Sequence, residues 1–216
     1  MDFIKFAIDF FLHLDKHLGD ILTHYGTLTY AILFLIIFVE TGLVIMPLLP
    51  GDSLLFAAGA LGAATGKLDI WVMIPLLIVA ALLGDNVNYF VGKFLGTRVK
   101  SRQRILFFKR EYIDQTEAFY AKHGGIAVVI ARFVPIIRTV APFVAGAGSM
   151  KYSRYIIFCI LGAILWVGGI TLLGYEFGNI DFVKRNFQLV VFAIIFISIL
   201  PILWQFIKPK AAASKA

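Results

Sequence analysis

The sequence contains little charge for its length. Only 15% of its 216 residues are Asp, Glu, Lys or Arg, whereas 60% are hydrophobic. An ordinary soluble domain is about 45–50% apolar, and a chain of this size could not bury the excess. The scarcity of charge therefore excludes a soluble enzyme and a disordered chain. It predicts an all-α integral membrane protein that crosses the bilayer several times.

Cysteine is almost absent, and histidine is sparse. The single cysteine, Cys159, lies in an apolar run and excludes an intramolecular disulfide and a cysteine-based zinc site. We expect it to be a small core or lipid-facing residue. None of the four histidines shows metal-ligand spacing. The sequence therefore predicts no metal site and no cofactor.

The net charge of +7 is concentrated in the hydrophilic breaks of the chain. Residues 93–122 hold eight basic residues and only three acidic ones. Basic loops of membrane proteins face the cytoplasm, so we interpret this segment as a cytoplasmic loop. It carries no aromatic motif of the kind that binds RNA, and nucleic acid is not expected as a partner.

Three charge-poor stretches have the length of about 20 residues that a spanning helix needs. Residues 70–92 contain one charge, and residues 155–175 and 186–207 contain none. Residues 3–22 mix apolar and charged positions and predict an amphipathic helix at the membrane surface. We therefore expect residues 1–210 to form a single polytopic membrane domain, followed by a disordered tail at 211–216.

Two further apolar stretches are broken. Pro50 and Gly51 interrupt the first, and Pro135 and Pro142 interrupt the second, whose end Gly146 loosens. The second is flanked by basic residues on both sides, so it should enter and leave the membrane on the cytoplasmic face. The sequence predicts re-entrant hairpins at about 43–66 and 124–150, about four spanning helices, the first near 26–42, and a cytoplasmic C-terminus.

The two hairpins lie on opposite faces in this topology, which suggests an inverted repeat. The sequence Phe-Ala-Ala-Gly-Ala at 56–60 resembles Phe-Val-Ala-Gly-Ala at 143–147. Inverted repeats whose broken helices meet at the bilayer midplane are a recurring plan of transporters.

Four ionisable residues lie in or beside the broken stretches: Glu40, Asp52, Arg132 and Arg138. Each costs roughly 2.5–3.5 kcal/mol at the bilayer centre and is functional by default, although an ion-pair cluster that only fixes hairpin packing is the alternative. A guanidinium grips phosphate bidentately, and a carboxylate can exchange protons. We expect the arginines to bind phosphate and the acids to couple protons.

Asp85 lies in the polar sequence Gly84-Asp85-Asn86-Val87-Asn88 near the end of a span. A helix-end or interhelical hydrogen-bonding role is as well supported as a direct one. Trp71 and Trp204 are expected to be interfacial anchors.

The pattern as a whole resembles the DedA family of bacterial inner-membrane proteins over essentially the full length. The resemblance rests on Glu40, on Pro50-Gly51-Asp52, on Gly84-Asp85, and on Arg132-Phe-Val-Pro135-Ile-Ile-Arg138 followed by Ala145-Gly146. It implies a VTT-type fold shared with eukaryotic lipid scramblases. It also implies a role in envelope integrity and the translocation of polyprenyl phosphate or phospholipid, with the four charged residues at the family's essential positions.

Together these features predict a membrane transporter and not an enzyme. The favoured cargo is undecaprenyl phosphate, moved across the inner membrane with protons; a homodimer is left open. The alternatives are a proton- or cation-coupled transporter of small solutes, a phospholipid scramblase, an intramembrane lipid phosphotransferase and a purely structural assembly factor. Against the phosphotransferase, no histidine lies near the membrane arginines.

The predicted topology has a direct test. In a Cys159→Ser background, single cysteines near residues 115 and 152 should react with an impermeant thiol reagent from the same, cytoplasmic side. Labelling from opposite sides would contradict a re-entrant hairpin at 124–150 and the inverted repeat with it.

Overall fold

The computed structural model describes residues 14–42, 51–99, 104–105, 108–148, 150–178, 180–186, 189–190 and 193. Several predictions lie outside these residues. They concern the start of the amphipathic helix, Pro50 and the rest of 43–50, nearly all of the span at 186–207, the tail at 211–216 and the side of the membrane on which the C-terminus lies.

Helices make up almost all of the described chain. The elements are α1 (Leu14–Tyr25), α2 (Leu28–Gly42), α3 (Gly51–Thr65), α4 (Ile70–Val99), β1 (Arg104–Ile105), β2 (Phe108–Lys109), α5 (Arg110–His123), α6 (Ile126–Ala131), α7 (Pro135–Ala147), α8 (Tyr152–Ala163), a π-helical turn (Ile164–Gly168), α9 (Gly169–Gly178) and α10 (Asp181–Arg185). The two short strands pair antiparallel. Apart from this ladder, the predicted all-α architecture is confirmed for the described residues.

In the part of the chain that the structure describes, two helices are long and apolar enough to cross a bilayer. They are Ile70–Leu95, with 26 residues, and Tyr152–Gly178, with 27. They contain the predicted spans at 70–92 and 155–175. Helix α2 is also apolar, but its 15 residues fall short of the ~20 that a span requires.

The sequence predicted that the basic segment 93–122 is a loop, but its described residues lie in helices and a short strand pair. Helix α4 continues to Val99, the β1–β2 ladder follows, and α5 occupies most of the remainder. Charge density identified the segment as polar but carries no information on its backbone.

The second broken stretch contains two helices with a turn over residues 132–134 between them. Helix α7 begins at Pro135, and the first helical turn is where proline is best tolerated. The prediction that Pro142 also interrupts was wrong, because α7 runs through it to Ala147.

Side chains of neighbouring helices bind carbonyl groups of α7 close to this proline. The hydroxyl of Tyr120, in α5, donates to the carbonyl of Ala141 at 2.7 Å, and Nδ2 of Asn88, in α4, donates to the carbonyl of Thr139 at 2.9 Å. Burial raises the pKa of the Tyr120 hydroxyl above its ordinary value, so this donor keeps its proton. These bonds stabilise the helix around a residue that cannot donate.

Two helix pairs pack through small residues, α3 against α9 and α4 against α7. A Cβ added at Gly59 of α3 would overlap the carbonyl oxygen of Thr171, and one at Gly146 of α7 would overlap that of Tyr89. Glycine at these positions lets the backbones touch, as in other membrane helix pairs. These two glycines lie in the segments 56–60 and 143–147, which resemble each other in sequence.

Helix contact at Gly59 can be tested by adding one methyl group. Gly59→Ala should lower the thermal unfolding midpoint in detergent, because overpacking against backbone costs about 1–3 kcal/mol. Gly169→Ala is the matched control, since nothing lies within 4 Å of a Cβ there. The control should leave the midpoint unchanged or raise it, and equal midpoints for both variants would contradict the packing described.

Candidate functional site

Arg138 forms the centre of a buried charged cluster. Its Nη1 lies 2.9 Å from Oδ1 of Asp52, and its Nη2 lies 3.0 Å from Oε1 of Glu40. The three residues come from α7, α3 and α2. One guanidinium therefore joins two carboxylates from separate helices, with geometry typical of charge-assisted hydrogen bonds.

The two acids lie at facing helix ends. Glu40 is in the last turn of α2, and Asp52 is in the first turn of α3, where the helix dipole favours negative charge. The backbone N–H of Gly51 donates to Oε1 of Glu40 at 3.3 Å. A Cβ at Gly51 would overlap the Glu40 carboxylate. Gly51, predicted as a supporting residue, is therefore required for the carboxylate to reach Arg138.

Trp166 completes this cluster. Its indole N–H donates to Oδ1 of Asp52 at 2.7 Å, and its ring centroid lies 4.7 Å from Cζ of Arg138 and 6.0 Å from Cζ of Arg132. Both guanidinium groups are therefore within range of cation–π attraction. Trp166 lies in the π-helical turn, a feature that often marks functional sites.

Arg132 lies in a second cluster. Its Nη2 forms an ion pair with Oδ2 of Asp85 in α4 and is 3.3 Å from both the carbonyl oxygen and Sγ of Cys159 in α8. The Cys159 thiol is 3.4 Å from the same Asp85 oxygen, and the Tyr155 hydroxyl donates to the Asp85 carbonyl at 3.1 Å. Asp85 therefore makes the interhelical bond that the sequence had offered as one of its roles.

Of the four charged residues that the sequence places in or beside the broken stretches, the structure brings three together. Glu40, Asp52 and Arg138 share one cluster, and Arg132 pairs with Asp85 instead. Both arginines nevertheless approach Trp166. Pro135 opens the helix that carries Arg138, and Gly146 sets the contact of that helix with α4.

Sequence reasoning missed Trp166 and Tyr155 and assigned Cys159 no polar contact. A usable signal existed for Trp166, because it lies in the middle of an apolar span, not at its end, and a buried indole N–H needs an acceptor. The Gly168-Gly169 pair after it is a further sign of irregular helix. The contacts of Tyr155 and Cys159 had no sequence signal, since both residue types are common in apolar helices.

Polar atoms in both clusters are buried without a partner among the described residues. Arg132 is 4% exposed, yet its Nε and Nη1 have no hydrogen-bond acceptor there; Glu40 is 3% exposed, and its Oε2 has no donor. Leaving such a group unpaired costs about 1–3 kcal/mol, and more when it is charged. Arg132 therefore has donor nitrogens, and Glu40 an acceptor oxygen, whose hydrogen bonding the described residues leave incomplete.

Comparison with known proteins identifies relatives over the whole chain. The VTT domain family matches residues 49–176. The chain is 49% identical to Protein DedA of Escherichia coli K12, over 100% of this chain and 99% of the relative. It is 43% identical to an uncharacterized membrane protein of Mycobacterium leprae, over 84% and 82%. It is 35% identical to the inner membrane protein YghB of Escherichia coli K12, over 83% and 80%. No solved structure matches.

The pairing of Arg132 with Asp85 has a measurable consequence for stability. Removing one partner of a buried ion pair costs about 3–5 kcal/mol, because the other charge is left uncompensated. Asp85→Asn should lower the unfolding midpoint strongly, whereas Asp20→Asn, at an exposed position of α1, should not.

The double variant Asp85→Asn with Arg132→Gln should recover most of the lost stability, because it removes both charges together. A double variant less stable than Asp85→Asn alone would show that Arg132 is neutralised by some group other than Asp85.

Proposed function

The chain belongs to the DedA family of membrane proteins, which carry a VTT domain, and on that basis we propose that it translocates a lipid phosphate across the bacterial inner membrane. Undecaprenyl phosphate is the proposed cargo. The observation that supports this most strongly is a pair of buried arginines, one joined to two carboxylates and the other retaining two donor nitrogens without a partner among the described residues.

Arg132 and Arg138 are the proposed headgroup ligands. A guanidinium presents donors in a planar fork that matches phosphate oxygens, and Arg132 has Nε and Nη1 available for them in the described part of the chain. The polyprenyl tail would remain in the bilayer while the headgroup enters between the helices. Trp166 lies beside both guanidinium groups, so both flank a single region.

Competition for Arg138 provides the proposed coupling to protons. Both of its terminal nitrogens are bound to carboxylates, so a phosphate that binds the fork formed by these two nitrogens replaces Glu40 or Asp52 there. A carboxylate that takes up a proton loses its charge and releases the guanidinium. Proton uptake at these acids and anion binding at Arg138 then favour each other, which is the requirement for moving both together.

Membrane potential also acts on the proposed cargo. Moving one elementary charge through 100 mV changes its free energy by about 2.3 kcal/mol. For a phosphate headgroup that crosses alone, the potential favours movement in one direction and opposes it in the other, and protons that accompany the headgroup reduce or remove this effect. The number of protons bound at Glu40 and Asp52 would therefore set the driving force for transport.

The re-entrant hairpins and the inverted repeat are part of this proposal. The same order of elements occurs twice. In the first half, α1, Gly26 with positive φ, and the apolar helices α2 and α3 precede the long helix α4. In the second half, α5, Gly124 with positive φ, and the apolar helices α6 and α7 precede the long helix that begins with α8. The packing is exchanged, since α3 of the first half contacts α9 and α7 of the second half contacts α4. This order and exchange support two related halves that meet at the charged clusters.

Binding of a purified polyprenyl phosphate distinguishes this function from a structural ion-pair cluster. Arg132→Lys and Arg138→Lys should each weaken binding by about 2–5 kcal/mol, because lysine supplies a point charge in place of the fork. Arg154→Lys, at an exposed position, should bind like the wild type. Equal affinity of the wild type and both membrane-arginine variants would rule out phosphate recognition by these groups.

Transport itself is measured in liposomes that contain labelled polyprenyl phosphate, with and without a pH gradient. The gradient should accelerate transport by the wild type, and Glu40→Gln and Asp52→Asn should abolish activity while the proteins still fold. Transport of phospholipid at a similar rate would favour the scramblase alternative. Unchanged activity of both acid variants would reduce these residues to packing elements.

A further inference from the structure

We infer that Trp166 is a positioning residue of the lipid-phosphate site, which keeps Asp52 and the two arginines in place while the anion replaces a carboxylate on Arg138. This inference rests on the proposed function and extends it to a residue with no assigned role. Trp166 contacts both charged clusters, and it is 1% exposed.

The two halves of the indole make separate contacts. The N–H donates to Oδ1 of Asp52, the same oxygen that Arg138 binds through Nη1. The ring faces Cζ of Arg138 at 4.7 Å. Trp166 therefore contacts both members of the ion pair. Its N–H shares Oδ1 of Asp52 with Arg138, and its ring contacts Arg138 without using the guanidinium N–H that binds Asp52.

The two contacts of Trp166 would persist when the ion pair between Arg138 and Asp52 opens. When phosphate replaces Asp52 on Arg138, the carboxylate loses one donor but retains the indole N–H. The guanidinium loses one anion but retains the ring beside it. Both groups thus keep a fixed position through the exchange, and the carboxylate remains close enough to rebind when the phosphate leaves.

The backbone at Trp166 is specialised for this placement. A π-helical turn over Ile164–Gly168 interrupts an otherwise continuous helix, and its extra residue changes the direction in which the following side chains point. The same helix carries Cys159 and Tyr155, which contact Arg132 and Asp85. One spanning helix therefore supports both arginines, Arg132 through Cys159 and Arg138 through Trp166.

Two substitutions separate the ring from the N–H. Trp166→Phe keeps an aromatic face for the arginines but has no donor for Asp52, so affinity for polyprenyl phosphate should stay within about threefold of wild type while the transport rate falls about tenfold. Trp166→Leu lacks both features and should also weaken binding at least tenfold. Trp71→Phe is the matched control, since Trp71 is 77% exposed, and it should behave like the wild type.

Fluorescence supplies a readout that a purely structural role would not change. In a Trp71→Phe, Trp204→Phe background, Trp166 is the sole tryptophan of the chain. Titration with polyprenyl phosphate in detergent should change its emission along the same saturation curve as binding of the labelled lipid, and Arg138→Lys should suppress the change. This measurement stays decisive if Trp166→Leu fails to fold.

The outcomes distinguish this role from the proposed function. If the wild type binds the lipid, and Trp166→Leu binds it with equal affinity, the role of Trp166 is wrong and the function stands. An emission that stays constant at saturating lipid also overturns the role alone. Absence of binding by the wild type overturns both.

Discussion

The fold depends on the need of one buried cation for negative partners. The Arg138 side chain is 10% exposed, and a charge buried to this extent needs a counter-ion. Its two terminal nitrogens bind Glu40 and Asp52, which lie at the facing ends of α2 and α3. Satisfying this single guanidinium therefore fixes the relative position of three helix ends, and the broken helices are what allow those ends to meet inside the protein.

Close helix packing makes this convergence sterically feasible. The Glu40 carboxylate occupies the space that a side chain at Gly51 would fill, and α3 contacts α9 through Gly59 at backbone distance. Small residues replace the hydrophobic driving force that is missing between helices in lipid. Both contacts need glycine. A side chain at Gly51 would overlap the Glu40 carboxylate, and one at Gly59 would overlap the backbone of α9.

The buried ion pairs hold the site together but add little to the stability of the fold. An ion pair buried this deeply contributes little net stability compared with an apolar replacement, although breaking it is costly. Such a pair is useful when its partners are exchanged during function. Arg138 binds two carboxylates at once, and Arg132 keeps donors unmatched among the described residues; under the proposed function, an external anion would exchange with the protein carboxylates at these groups. Trp166 contacts Asp52 and Arg138 and lies near Arg132.

The sequence by itself determined the class of the protein, two helices long enough to span a membrane, the break at Pro135 and the four charged residues that lie in the buried clusters, Glu40, Asp52, Arg132 and Arg138. These features follow from hydrophobic run length, from proline chemistry and from the cost of charge in a membrane, all of which are local. Only the tertiary structure decided the partners. Arg132 pairs with Asp85 because α4 presents that residue to it, α7 passes Pro142 where neighbouring side chains bind its carbonyls, and Trp166 joins the site because a π-helical turn directs it there. Each of these contacts joins residues far apart in the chain, and no periodicity or composition of a single segment encodes which helix will lie beside it.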